Sequence, residues 1–530
     1  MVDRWSPNAR PNRAEQKILK LLGKQKLWIF LRIHRHAIID DEIRDKLRTM
    51  YAVSGRGSPV APERLALALI LQVLTGAADH EVPTLTAVDF RWKMVLDLLD
   101  SDVGEVAFSQ GTVFHFRERA REHGLMDFML DKLVRLARET KGFSHARMRM
   151  MIDSSPLVGA GRVEDTFNLI GRAIVKVAEA VAQASGRTSA DLAEELDLQV
   201  VSASSVKAAL DVDWRLPDAR NQALNTLIEQ FIRLRDWLET HLEPEAVTTP
   251  PVSESVAVVE KLIRQDTEPD PEDPSPGARR ICTGGGDRQI SLSDPDMRHG
   301  RKSKTKLFAG YKRNIATDAD IPGLFIGVEV RPANEQEHAA AQPLLEAVEA
   351  AGFEVTEVHH DRGYLPSEAL HERRERGMRL ISKPPTPPRA NGRLGKADFD
   401  IDVEAGQVRC PAGHTAVVSH GKSKSSASFK RSLCRECPLM ATCLPKHSQK
   451  VIVLHPHEGL HQQWATELST PEGRAARRSR VDVEHGLARL GAIQGTKARY
   501  RGKEKVQFHT TCCAVVVNLH VLNGLISKAA

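Results

Sequence analysis

Cysteine, aromatic residues and long apolar runs are all scarce in this chain of 530 residues. It has seven Cys, six Trp and four Tyr, and aromatics make up 5% of it. An odd number of cysteines, four of them within one short stretch, excludes a disulfide framework and points to a reducing compartment and a metal. No run reaches the ~18 apolar residues of a membrane span. The best, Leu65–Leu74, falls well short and sits beside Gly76, so no membrane association is expected. The opening MVDRWSPNARPNRAEQK lacks an apolar signal core. No charge sign dominates either: 75 Lys+Arg against 69 Asp+Glu leave +6. That excludes a histone-like chain and an acidic disordered one, so any polyanion site must come from local clustering. What is present is ordinary: 41% hydrophobic and 27% charged, with room for three or four domains at ~150 residues each.

Periodicity divides the chain. The first 140 residues read as helical, with Pro62 and Gly76 bracketing one helix. Ser109 caps another that runs to His123, and Gly124 separates it from a third over 127–139. The pair fits a helix-turn-helix, and Arg117, Arg119 and Arg121 make its first member basic. Arg147–Ile152 reads as a strand ending on Asp153, and 164–243 as helical again. His241–Pro276 holds nine acidic residues, two basic ones and seven prolines, the composition of an exposed linker. Mixed α/β patterning follows: strands over 310–318, 324–330 and 354–360, a helix over 335–351, another over 367–377, and a short strand over 380–383. An irregular Cys-bearing stretch runs to Lys450. Basic helix 471–490 and apolar helix 511–525 close the chain.

Chemistry gathers at strand ends. Asp153 and Asp361 each end a strand and precede turn formers, Ser154-Ser155-Pro156 and Arg362-Gly363-Tyr364. Carboxylates at the carboxyl ends of strands face the crevice where ligands bind and suit a hard cation. Glu484 is the third candidate, since Arg477, Arg480 and Glu484 recur at three-and-four spacing on one helix face. The strip Pro471–Val506 carries ten Lys/Arg against four Asp/Glu. A carboxylate retained in such a strip makes sense if the strip holds a phosphate backbone and the carboxylate holds metal. Arg301, Lys302, Lys304, Lys306 and Lys312 form a second basic run, interleaved with Phe308 and Tyr311 and free of acidic residues. Cys410, Cys434, Cys437 and Cys443 supply four thiolates in a polar segment, with Cys434 and Cys437 at knuckle spacing. That is a closed structural zinc set that leaves no catalytic position. Cys512 and Cys513 belong to an apolar helix and read as core.

The stretches MIDSSP, SDPDMRHGRKSKTKLFAGYKRNIATD, VRPANEQEHAAAQPLLEA, HHDRGYLPSEAL and RRSRVDVEHGLARLGAIQGTKARYRG together resemble the DDE transposases of bacterial insertion sequences. The resemblance implies a ribonuclease-H-like mixed-sheet core with a long helical insert and a small zinc-binding insert, preceded by an all-α domain. The expected parts are a helical DNA-binding domain (1–140), the first part of the core (141–160 and 285–383), a helical insert (161–240) and a linker (241–284). A zinc-binding insert (384–450) and the end of the core (451–530) complete it. By resemblance Asp153, Asp361 and Glu484 are the catalytic carboxylates, holding two Mg²⁺ or Mn²⁺ ions for phosphodiester hydrolysis and strand transfer. The Arg480-x₃-Glu484 spacing matches the family signature, whereas its flanking Tyr and Lys positions are Arg477 and Gly491 here. The implied partner is double-stranded DNA, both element ends and target, bound by a homodimer or larger synaptic assembly in the bacterial cytoplasm. Arg477, Arg480, Lys497, Arg499 and Arg501 join the two earlier basic groups as its contacts. Two alternatives stay open: a non-catalytic, domesticated DNA-binding protein, and a metal-dependent nuclease that cuts without joining.

Overall fold

The computed structural model describes residues 5–51, 60–102, 104–143, 146–273, 275, 277–282, 285–303, 305–383, 392–421, 425–444, 449–478 and 480–529. The fold is mixed α/β around a six-stranded sheet. Its strands in chain order are β1 (Arg147–Val158), β2 (Arg298–Arg301), β3 (Leu307–Asp318), β4 (Phe325–Pro332), β5 (Glu354–His359) and β6 (Arg379–Ile381). One edge of β3 pairs antiparallel with β1. Its other edge pairs with β2 and then with β4. β1 continues the sheet in parallel with β5, and β5 in parallel with β6. Met148, Met150, Met151 and Ile152 are all buried, as befits a strand covered on both faces. β1 does not stop at Asp153 as expected, because Ser154, Ser155 and Pro156 stay in register with Asn314, Arg313 and Lys312 of β3.

The N-terminal helices begin and end at their sequence signals. Pro62 opens Pro62–Thr75, and Gly76 closes it with φ 69°. The Ser109 side chain caps Gln110–Glu122 by accepting from the Thr112 amide, and Gly124, at φ 61°, leads into Leu125–Thr140. These helices have no core of their own. Leu67, Trp92, Met129 and Leu133 merge with Ile315, Phe325, Val358 and Val516 in one cluster, so the stretch to residue 140 packs as one body with the sheet. The centre of that cluster is the last helix, Lys503–Ala529, longer than the expected 511–525. It packs against Lys26–Ile38, Pro62–Thr75, Leu125–Thr140, Val481–Gln494 and β4. It also closes the open edge of β4. Asn518 accepts from the Phe325 amide at 2.8 Å and donates to the Phe325 carbonyl at 2.8 Å, while Gln507 accepts from the Val330 amide at 2.6 Å and donates to the Val328 carbonyl at 2.8 Å. By length and composition Lys503–Lys528 could cross a membrane, yet 61% of its apolar window is buried inside this core.

Between β1 and β2 the chain leaves the sheet to build a helical insert with a separate core of Phe167, Ile174, Leu224, Phe231, Val259 and Leu262. The exit is tight: a Cβ on Gly310, at φ 148°, would collide with the backbone of Leu157 and Gly159. The segment 241–284 is not the exposed linker its composition suggests. It contains the helix Val252–Asp266, which buries Val252, Val259 and Leu262 against Thr166–Ser185. Apolar residues at helical spacing outweigh the surrounding acid and proline. The Cys-bearing stretch is likewise more regular than expected. Asp400–Asp402, Gln407–Arg409, Thr415–His420, Ser425–Ser428 and Val451–Leu454 form a five-stranded antiparallel sheet over Phe399, Val408, Phe429 and Ile452. Its last strand lies beyond residue 450. Residues 384–391, 422–424 and 445–448 of that stretch lie outside the described residues.

On the helix Leu125–Thr140, burial and the neighbouring Asp127 push the Asp131 carboxyl up to about 7. The folded chain therefore holds a proton that the unfolded chain releases above pH ~4. Stability from this group is full below that pH and declines as pH rises toward 7. Asp131→Asn should leave the melting temperature unchanged at pH 4 and raise it by about 2 °C at pH 8, measured by calorimetry.

Candidate active site

β1 outruns β5. Their pairing ends at Met151 and His359, and Asp153 stands where β5 has left the sheet. There β1 is paired on one side only, to Ile315 of β3, and the notch is a natural crevice. Asp361 follows β5 by two residues and caps the turn Arg362–Tyr364, accepting from the Arg362 amide at 2.7 Å. The two aspartates expected to act together are thus brought together, from positions far apart in sequence.

A guanidinium lies between them. Arg480 Nη2 is 3.4 Å from Asp153 Oδ2, and Nη1 is 3.6 Å from Asp361 Oδ1. The expected single helix over 471–490 is broken, into Pro471–Arg478 and Val481–Gln494, with Arg480 as cap of the second. Arg480 therefore points into the notch with only 11% of its side chain exposed, and Arg477 lies on the far side of the break. Glu484 sits one turn after Arg480 and is exposed. It is not a partner of either aspartate. Among the described residues, no three or more His, Cys, Asp or Glu side chains are spaced to hold a metal ion.

The third carboxylate that does reach the notch is Glu337, which the sequence did not single out. It lies in the turn Glu337–Ala340 after β4, and its Oε1 accepts from Ser154 Oγ at 2.6 Å. Burial pushes the Asp153 carboxyl up to about 6, the Ser154 amide and Arg480 oppose this, and the charges of Asp361 and Glu337 add to it. Buried Tyr364 donates to Asn314 Oδ1 at 2.9 Å, and burial, with the nearby Glu337, Asp153 and Asp361, pushes its phenol up. His360 is fully buried with its imidazole pushed down to about 4, so it is neutral at pH 7 and its Nδ1 donates to the Asp361 carbonyl at 2.9 Å. Ser155 accepts from Arg313 Nε at 2.8 Å, and Arg313 also reaches Gln494 at the end of the Val481–Gln494 helix. Both serines bond within the local framework, from strand β1 rather than from the expected turn.

The basic groups divide sharply. Arg301, Lys302 and Lys306 are exposed around the tip of the β2–β3 hairpin, whereas Lys312 is half-buried and donates to the Glu335 carbonyl at 2.7 Å. Lys304 lies outside the described residues. Lys497 and Arg501 are exposed, and the backbone of 496–498 runs beside the end of β1. Arg499 instead donates to the Gly76 and Ala77 carbonyls. The N-terminal arginines are corrected most. Arg117 is 4% exposed and bound to Asp79 and to Tyr500, with Nη1 2.7 Å from Asp79 Oδ1 and 3.0 Å from the phenol oxygen. A guanidinium so enclosed and already paired with a carboxylate is not presented to a phosphate. Arg121 pairs with Glu504 at 2.8 Å, and Arg119 lies 4.3 Å over the Tyr51 ring. This basic helix face is a joint between the N-terminal helices and the end of the chain.

Cys410, Cys434, Cys437 and Cys443 line one small cavity with His414, Phe399 and Phe429. Burial pushes the Cys443 thiol up, and the other three sulfurs push it the same way. Cys512 and Cys513 are buried in the closing helix.

Residues 409–523 match the family model of the transposase DDE domain. That match supports an insertion-sequence DDE transposase and covers the Cys cavity, Arg480 and Glu484, while Asp153 and Asp361 lie upstream of it. No curated protein and no solved structure matches the chain. Arg117→Ala should destabilise the fold by about 3 kcal/mol, because it strands a partly buried Asp79. The slope of log DNA affinity against log salt should stay unchanged, and thermal melts beside a salt titration check both.

Proposed function

We propose that this chain is a DNA transposase that cleaves the ends of an insertion sequence and joins them to target DNA. The observation that carries the reading is the pairing of Asp153 and Asp361 around one cationic group at the notch beside β1. The strand order supports a ribonuclease-H-like core, since an antiparallel set β4-β3-β1 continues into the parallel pair β5 and β6. Two carboxylates that converge on a positive charge support a divalent-metal reading, and Glu484, exposed one turn after Arg480, would have to turn toward them to join the set. Asp153, Asp361 and Glu484 would hold two Mg²⁺ or Mn²⁺ ions, whose chemistry is charge neutralisation at the scissile phosphate and a lowered pKa for attacking water.

The chain's own groups do the rest. Arg480, at the mouth of the notch, carries a positive charge to the phosphate undergoing attack. Neutral His360 keeps that strand end dry and rigid. The exposed hairpin tip with Arg301, Lys302 and Lys306, together with Lys497, Arg501 and Arg477, holds the duplex by its backbone. Two DNA ends call for at least two copies of the chain, and the setting is the bacterial cytoplasm at the nucleoid. A structural Zn²⁺ would be held by Cys410, Cys434, Cys437 and Cys443; their shared cavity supports this reading, and the sulfurs would have to draw closer on binding than they now stand.

Asp153→Ala, Asp361→Ala and Glu484→Ala should each abolish Mg²⁺- or Mn²⁺-dependent cleavage of element-end duplexes while leaving duplex binding intact. Cleavage that survives in all three overturns the assignment, and cleavage without joined product favours a nuclease. For the thiol cluster, metal analysis should find about one zinc per chain, released by Cys434→Ser. A folded, active preparation without zinc would end that part of the reading.

A further inference from the structure

Glu337 touches both halves of the aspartate pair without belonging to either. Its Oε1 accepts from Ser154 Oγ at 2.6 Å, and the Ser154 amide in turn donates to Asp153 Oδ1 at 2.8 Å. Its other oxygen lies over the turn after Asp361, against Gly363, where an added Cβ would collide with the carboxylate. Gly363 has no positive φ, so the glycine there answers to the space Glu337 occupies rather than to the backbone. Glu337 itself is fixed from behind: its turn runs directly into the helix Ala341–Ala350, which buries Leu344, Leu345 and Val348 against β4 and β5.

We infer that Glu337 is a positioning residue for the metal-holding aspartates, setting the distance between the Asp153 strand and the Asp361 turn through Ser154 and Gly363. The inference rests on the metal-dependent reading above. It gives a role to a carboxylate that stands where two others already repel it. Two acidic groups face one guanidinium and Glu337 adds a third beside them, so the surplus negative charge favours cations, while a hydrogen bond and a close backbone contact fix the spacing. A side chain acting through others differs from a ligand in its response to conservative change. Gln at this position still offers an oxygen to Ser154 and fills the same volume; Ala does neither.

The experiment is Mn²⁺ titration of the full chain, without DNA, by calorimetry and electron spin resonance. Glu337→Ala should weaken Mn²⁺ binding about 10- to 100-fold, with Glu337→Gln recovering most of the loss. Ser154→Ala should weaken binding in the same way, and the Ser154→Ala/Glu337→Ala double variant should be no worse than the worse single one. Gly363→Ala, which pushes the carboxylate off Ser154, should reproduce the Glu337→Ala value in the wild-type background and add nothing to it in the Glu337→Ala background. Circular dichroism of each variant should match the wild type; where Ala at 337 fails to fold, the Ser154 and Gly363 variants carry the test. Wild-type Mn²⁺ affinity in Glu337→Ala, or fully additive losses with Ser154→Ala, overturns the inference and leaves the proposed function standing, provided Asp153→Asn still abolishes binding. Wild-type affinity in Asp153→Asn overturns both.

Discussion

Two amide side chains on the last helix stand where a neighbouring strand would be. Asn518 and Gln507 satisfy the outer edge of β4, and with that edge closed the sheet ends inside the protein rather than at its surface. The geometry works only if the helix lies flat along β4, which in turn brings its opposite face to the N-terminal helices. One element therefore fixes three things: the end of the sheet, the seat of the first 140 residues, and the path of the 480–502 segment that must arrive just before it. The Arg117–Asp79–Tyr500 joint and the Thr511–Asp127 contact tie the same helix region to the N-terminal helices with polar bonds.

The notch inherits its composition from that path. Because the Val481–Gln494 helix is held between the sheet and the closing helix, its amino end falls beside Asp153, and the break before it turns Arg480 inward. Pairing between Arg480 and the aspartates is a weak attraction in water and a strong one where burial lowers the local dielectric. The same burial pushes the Asp153 carboxyl up. Under the proposed metal-dependent function, a divalent ion would have to compete with this guanidinium for the same two carboxylates.

What could be read in advance was what is encoded locally. Asp153 and Asp361 declared themselves through the turn formers that follow them, and the four cysteines through their spacing. Helix limits at Pro62, Ser109 and Gly124 are likewise signals of one or two residues. Glu337 gave no such sign: it is one of two glutamates in Asn-Glu-Gln-Glu-His, and its meaning lies in Ser154, distant in the chain. Arg117 misled for the mirror-image reason. A basic helix face looks the same in sequence whether it meets solvent or, as here, an aspartate and a tyrosine from elsewhere. The 241–284 stretch misled because composition averages over the helical spacing of Val252, Val256, Val259 and Ile263. Asp153, Arg480 and Asp361 meet only after three separate segments have packed, and no window along the chain contains that.

The placement of the helical insert governs how the protein can be made. β1 leaves the ribosome with Met148, Met150, Met151 and Ile152 all destined for burial, but its partners β3 and β5 lie beyond the whole insert. At ~5–20 residues per second, translation leaves this apolar strand waiting roughly ten to thirty seconds for its first neighbour. The insert has its own core and can collapse during the delay, bringing the ends of its loop together near Gly159 and Gly310 and shortening the search that β1 must make. Nascent chains truncated within the insert should therefore be caught by holdase chaperones at β1, and release should coincide with emergence of β3.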